Sequence, residues 1–186
     1  MRRTLVLMVM VAMLVAASGV ALAVVRDGGP GNDTLIGTND ADNMDGKGGN
    51  DRLVGLGGGD WLIGGGGSDT LWGQAVGDEL WGGPASDLVY GGPGDDFVLG
   101  DQSFSPGSTS QAGDDGIYGG AGNDNQSPVS IGGLYGGPGE DVIFGGDGND
   151  FVVGAFDGGR WICSFAVKAG TNTLLTGSTM WTALAR

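Results

Sequence analysis

Histidine is absent from this 186-residue chain, and cysteine occurs once, at Cys163. Without histidine there is no His-dependent zinc site, no Ser-His-Asp triad and no Cys-His dyad. A single cysteine excludes an intramolecular disulfide framework. Positive charge is also scarce, with 8 Lys and Arg against 22 Asp and Glu and a net charge of -14. Phosphate-backbone recognition needs a basic stripe, so nucleic acid is excluded as a partner. What the chain has in excess is glycine, 43 residues. Acidic, glycine-rich chains default to disorder unless something neutralises the charge and rewards the ordering. The length suits one domain.

The first 23 residues differ from the rest. Arg2 and Arg3 give a positive start, Leu5 to Ala17 form an apolar run, and Ala21-Leu22-Ala23 is a small-x-small cleavage site. These three parts make a secretory signal peptide over residues 1–23. The apolar run is short for a spanning helix, so no membrane span is expected after cleavage. Loss of Arg2 and Arg3 takes the net charge from -14 to -16. The expected destination is secreted, extracellular or at the cell surface.

From Gly28 the chain repeats every nine residues. Eight successive blocks, from GGPGNDTLI to GGPGDDFVL, carry Gly at position 1 and Asp at position 6: Asp33, Asp42, Asp51, Asp60, Asp69, Asp78, Asp87 and Asp96. Position 8 is always apolar, from Leu35 and Met44 to Val89 and Val98. A Ser- and Gln-rich stretch near 100–112 breaks the frame, which returns one residue late at Gly113-Asp114-Asp115. A second irregular stretch near 128–134 is one residue short, so Gly136 is back in register. Fourteen nonads then fit between 28 and 153, with further position-6 residues at Asp115, Asp124, Asp141 and Asp150.

The copies GGPGND, GGPGDD, GGAGND, GGPGED and GGDGND resemble the G-G-x-G-x-D-x-U-x motif of the RTX (repeats-in-toxin), or haemolysin-type, calcium-binding family. The resemblance covers about two-thirds of the chain and implies a calcium-binding β-roll. Many proteins of that family carry a C-terminal export signal and no N-terminal one; the reverse arrangement is expected here, and with no acylation, pore-forming or protease domain expected in these residues, neither type I secretion nor toxin activity is expected.

The residues lead to the same fold. Six turn residues rich in glycine supply backbone with positive φ, and Asp40 is expected to do so where position 4 lacks glycine. The remaining triplet is a short strand whose position 8 faces inward while positions 7 and 9 face outward. The predicted fold is all-β: a parallel β-roll, or β-solenoid, with two nonads per 18-residue turn of a flattened right-handed coil. Successive turns lie about 4.8 Å apart. One column then holds Asp33, Asp51, Asp69 and Asp87, continued by Asp124 and Asp141. The other holds Asp42, Asp60, Asp78, Asp96 and Asp115, continued by Asp150. Stacked carboxylates repel, and Ca²⁺, which accepts six to eight oxygens in irregular geometry, removes the repulsion better than Mg²⁺. Adjacent pairs number eight in this register, and the alternative is an Asp-Gly turn that binds no metal. Ordering so many glycines around a thin core is entropically costly, so folding is expected to depend on calcium.

Aromatic residues recur at the outward positions. Trp72 and Tyr90 are expected in one column; Trp81, Tyr118 and Tyr135 in the other; Trp61, Phe97 and Phe151 at position 7. Such a stripe marks either cross-strand packing or a surface for self-association, a glycan or a cell-surface partner. Residues 154–186 leave the repeat, carry no acid after Asp157, and are expected to cap or trail the roll. The leading functional reading is a secreted calcium-binding module that folds on several Ca²⁺ ions, structural or cell-surface in role and not an enzyme. The alternatives are a calcium-dependent β-solenoid enzyme acting on polysaccharide, and an adhesion or matrix protein. Only six basic residues remain after the signal peptide, and Lys47 and Arg52 stand isolated, which leaves no evident catalytic base.

Overall fold

The computed structural model describes residues 23–101, 113–124, 133–154 and 163–166. Residues 1–22, on which the expected signal peptide falls, and most of the C-terminal tail lie outside these. Within them the chain is all-β and forms two seven-stranded parallel sheets. One sheet holds β1 (Val25–Asp27), β3 (Asn43–Asp45), β5 (Trp61–Ile63), β7 (Glu79–Trp81), β9 (Phe97–Leu99), β11 (Leu134–Tyr135) and β13 (Val152–Val153), stacked in that order. The other holds β2 (Thr34–Ile36), β4 (Arg52–Gly57), β6 (Thr70–Ala75), β8 (Leu88–Pro93), β10 (Gly116–Ala121), β12 (Asp141–Asp147) and β14 (Cys163–Ala166). Alternate nonads thus belong to alternate sheets, and each strand pairs with the one two nonads away, as Leu53 with Leu71 and Leu62 with Leu80. No helix among the described residues is long and apolar enough to cross a membrane.

The inward face is one file of side chains. Leu35, Met44, Leu53, Leu62, Leu71, Leu80, Val89, Val98, Ile117, Leu134, Ile143 and Val152 form the core between the sheets. One apolar residue per nonad is all that the narrow interior admits. Alternation of side chains along each triplet sends the others outward.

Twelve core residues correct the count of fourteen nonads. Ile117 pairs with Val89, and Leu134 with Val98, so the chain inserts ten residues beyond a normal turn before the first and eight before the second. The two insertions together equal two nonads. The nine-residue frame therefore recovers although two of its slots supply no strand among the described residues. The physical signal is at position 8: in those slots the frame would put Gly107 and Gln126 inward, and neither supplies an apolar core residue. Leu134, assigned to the irregular stretch, is instead a core residue of β11.

The outer aromatics pack on one another. Trp72, Tyr90, Tyr118 and Phe144 form a nearly parallel ladder along the second sheet, with centroids 5.8, 4.9 and 5.0 Å apart. Tyr118 therefore joins the column of Trp72 and Tyr90, not that of Trp81, because the first insertion delivers β10 to the same sheet as β8. On the other sheet Trp61 meets Trp81 edge-on, and Tyr135 lies between Phe97 and Phe151. The strand β14 pairs in parallel with β12 and extends the second sheet into the tail.

Candidate metal-binding columns

Each nonad turn ends in an aspartate buried against the turn above it. Among position-6 residues only Asp33, on the first turn, escapes full burial. One carboxylate oxygen has a fixed duty: Oδ1 accepts the backbone N–H of the aspartate one coil turn earlier. Asp33, Asp51 and Asp69 donate in this way to Asp51, Asp69 and Asp87 at 2.7–2.8 Å. Asp42, Asp60 and Asp78 donate to Asp60, Asp78 and Asp96 at 2.8 Å.

Beyond the insertions the columns differ from the expected ones. Asp87 donates to Asp115, and Asp115 to Asp141, at 2.8 and 3.0 Å. Asp96 donates to Asp124, and Asp124 to Asp150, at 2.9 and 3.2 Å. Asp115 thus belongs to the Asp33 column, and Asp124 to the Asp42 column. The pairs 96/115 and 124/141 do not form, because an insertion of ten residues moves the chain by one whole slot and one residue. Both columns run unbroken through six aspartates. Adjacent pairs number ten instead of eight.

The second oxygen has no such duty. Oδ2 is buried without a hydrogen-bond partner in Asp51, Asp60, Asp69, Asp78, Asp87, Asp96, Asp115, Asp124, Asp141 and Asp150. It points at the position-1 glycine of its own turn, where the carbonyl oxygen of the next turn's position-1 glycine converges on it. At Gly64 the Oδ2 of Asp69 and the carbonyl of Gly82 lie 2.5 and 2.6 Å from where a Cβ would stand. That is why position 1 is glycine throughout: a side chain would fill the space between two bare oxygens. Facing acceptors with no donor are costly when buried. A proton, a bridging water or a cation between them would relieve that cost.

Burial raises the affinity of these carboxylates for a proton, with neighbouring aspartates adding to it and the backbone N–H opposing it. Asp60 and Asp69 are pushed up to about 6, Asp78, Asp124 and Asp141 to about 7, Asp96 and Asp115 to about 8, and Asp87 to about 9. Asp51 and Asp150 shift in the same direction for the same first cause. A divalent cation relieves what the proton relieves. Among the described residues no group of three or more acidic, histidine or cysteine side chains converges on one point. An ion between turns would therefore be shared by two carboxylates and take its remaining oxygens from turn carbonyls, a donor set that suits calcium.

Two features escaped the sequence reading. At position 5 the side-chain oxygens of Asn32, Asp95, Asp114 and Asn123 accept the N–H of the residue one coil turn later, making an outer ladder beside the aspartates. The enrichment of Asn, Asp and Ser at that position was its signal. The other is Asp101, a buried acid outside position 6, pushed up to about 6 mainly by burial. Asp40 does not take positive φ. Its N–H donates to the Thr38 hydroxyl, which closes that turn by a side chain. Positive φ falls instead on Lys47, Leu56, Gln74, Val76 and Ala85, at positions 2 and 4 of their turns.

The family model of the RTX calcium-binding nonapeptide repeat, four copies long, matches the chain at residues 27–53, 45–80, 75–103, 109–125 and 134–158. These segments span more than half of the chain, and the gaps between them fall within the two insertions. No curated protein and no solved structure matches the chain.

Proposed function

This chain belongs to the RTX calcium-binding nonapeptide-repeat family, and from that premise we propose that it is a secreted module that folds on binding several calcium ions along its two aspartate columns, with a structural or cell-surface role. The observation that carries the reading is the set of buried Oδ2 atoms without a donor, repeated turn after turn. Asp33, Asp51, Asp69, Asp87, Asp115 and Asp141 would hold ions along one edge, and Asp42, Asp60, Asp78, Asp96, Asp124 and Asp150 along the other. Bound calcium supplies charge neutralisation between turns. The residues of the chain do the rest: Oδ1 fixes each carboxylate by its N–H bond, and the position-1 glycines keep the space beside Oδ2 open.

The N-terminal segment 1–23 supports export, and extracellular calcium modules bind at roughly 10⁻⁴–10⁻³ M. A chain that stays unfolded until it meets such concentrations is compatible with passage through an export machinery. We assign no catalytic role. Lys47 is committed to Asp45 and Asp27, and the guanidinium of Arg52 lies 4.4 Å over the Trp72 ring. The aromatic ladder does not favour glycan stacking, because its rings spend their faces on one another.

Native mass spectrometry of the purified chain in millimolar calcium tests the reading. On the order of ten ions are expected, one per adjacent pair. Asp78→Asn should remove roughly two of them, since Asp78 shares levels with both Asp60 and Asp96. A chain that binds none at that concentration would overturn the proposal.

A further inference from the structure

Asp101 stands at position 2 of its turn, directly after Gly100, where other turns carry Gly29, Lys47, Gly65, Gly83 or Gly137. The first insertion opens immediately behind it. Gly113 resumes the pattern at position 4, so eleven residues replace the single residue of position 3. This is an awkward place for an insertion. In four other turns the N–H of position 4 donates to the position-3 carbonyl of the next coil turn: Gly49 to Gly66, Gly67 to Pro84, Gly94 to Ala121 and Gly122 to Asp147, at 2.7–3.3 Å. In the turn of Thr38 the N–H of Asp40 donates instead to the position-2 hydroxyl, and Gly113 follows this second pattern across a much longer stretch of chain. Its N–H donates to the buried Oδ2 of Asp101 at 3.1 Å, across the mouth of the insertion.

The second insertion needs no such device. It opens between Asp124 and Gly133, and each end is held by backbone groups of a neighbouring turn: Phe151 donates to the Asp124 carbonyl, and Val98 to the Gly133 carbonyl. The first insertion breaks a turn in the middle, two residues before an aspartate that must land between Asp87 and Asp141. Asp101 is itself anchored, its N–H donating to the Gly136 carbonyl at 3.0 Å. Its Cβ lies 2.5 Å from the place a Cβ would take on Gly137, so the carboxylate lies tight against the following turn.

We propose that Asp101 is a positioning residue: it clamps the two ends of the first insertion, and so sets Asp115 in register with Asp87 and Asp141, letting one calcium column run on past an insertion of ten residues. The inference rests on the calcium reading above and concerns the ions held by Asp115. It makes Asp101 dispensable wherever the insertion is absent. Removal of residues 102–111 leaves Gly100-Asp101-Ala112-Gly113-Asp114-Asp115, an ordinary turn apart from the aspartate at position 2.

The test compares five chains: wild type, Asp101→Ala, Asp101→Asn, the 102–111 deletion, and the deletion combined with Asp101→Gly. Bound ions are counted by native mass spectrometry, and calcium-dependent amide protection is mapped by hydrogen exchange. Asp101→Ala should lose about two ions, those of the 87/115 and 115/141 levels. Calcium needed to protect residues 113–124 and 133–154 should rise roughly tenfold, the scale seen when groups that orient metal ligands are removed. Protection of residues 28–63, which hold neither lost ion, should change least. Asp101→Asn, which keeps an acceptor oxygen, should restore both readouts. Both shortened chains should bind like wild type. An Asp101→Ala chain that behaves as wild type overturns the clamp. So does a defect that persists in the shortened chain, which would make Asp101 a ligand in its own right, and so does a shortened chain that fails to bind. Wild type binding no calcium would instead sink the calcium reading itself.

Discussion

The two oxygens of a position-6 aspartate have different fates, and the difference dictates the residues around them. Oδ1 is spent on a neighbour's N–H, while Oδ2 faces a carbonyl across the space that glycine leaves. Gly64→Ala should therefore push a methyl against the Oδ2 of Asp69 and the Gly82 carbonyl, both held by the fold. Overpacking of this kind costs about 1–3 kcal/mol, and here it should also weaken calcium binding at that level. Gly31→Ala is the control, since a Cβ there meets nothing within 4 Å. Chemical denaturation of both variants in saturating calcium should show a loss for the first and little change for the second. The same oxygens govern pH dependence. A carboxylate whose folded-state pKa is raised from about 3.9 to between about 6 and about 9 binds protons more tightly folded than unfolded. The metal-free fold is then most stable below about pH 4 and loses that stability as pH rises through the folded values. In chelator, β-structure should grow on acidification from pH 9 to pH 4, while calcium affinity falls over the same range. Metal-free β-structure that is greatest at pH 9 would contradict this account.

At the scale of the turn, glycine is not evenly distributed. The turn Gly73 to Asp78 carries Gln74 and Val76, both at positive φ, and Val76 is a β-branched residue there, 59% exposed. Left-handed backbone costs a residue with a Cβ roughly 1–2 kcal/mol, and little burial is lost with the Val76 side chain. Val76→Gly should raise the stability of the calcium-loaded chain by up to about 1 kcal/mol, the gain reduced by glycine's greater freedom when unfolded. A melting temperature in calcium that falls would count against strain at this turn. The strand triplets were readable because Leu35 to Val98 keep a strict place in the frame. The insertions were seen as irregular stretches but placed in the wrong slots. A ten-residue and an eight-residue insertion restore the nine-residue frame between them, so periodicity alone passes over Asp115 joining Asp87 instead of Asp96. Only the demand for an apolar residue at position 8, met by Ile117 and Leu134, separates the two registers. Asp101 was invisible for another reason: nothing local marks an aspartate at position 2 as buried.

At the scale of the whole molecule the balance is unusual. Among the described residues the core is a single file of twelve apolar residues, and against it stand the ordering of glycine-rich turns and two columns of stacked carboxylates. Hydrophobic burial in one file is a weak opponent for those costs. The proposed remedy is cation binding at every level, which couples folding to metal. Parallel stacking also makes the structure cooperative along its length, since each turn presents the next with both its β-ladder and half of each ion site. The most direct test is far-UV circular dichroism of the purified chain, first in chelator at pH 8 and then on titration with calcium or with magnesium. A coil spectrum that converts cooperatively to β-structure with millimolar calcium, and not with magnesium, is the predicted result. A chain already rich in β-structure in chelator and indifferent to calcium would contradict the central claim, and the aspartate columns would then be a scaffold stable without metal.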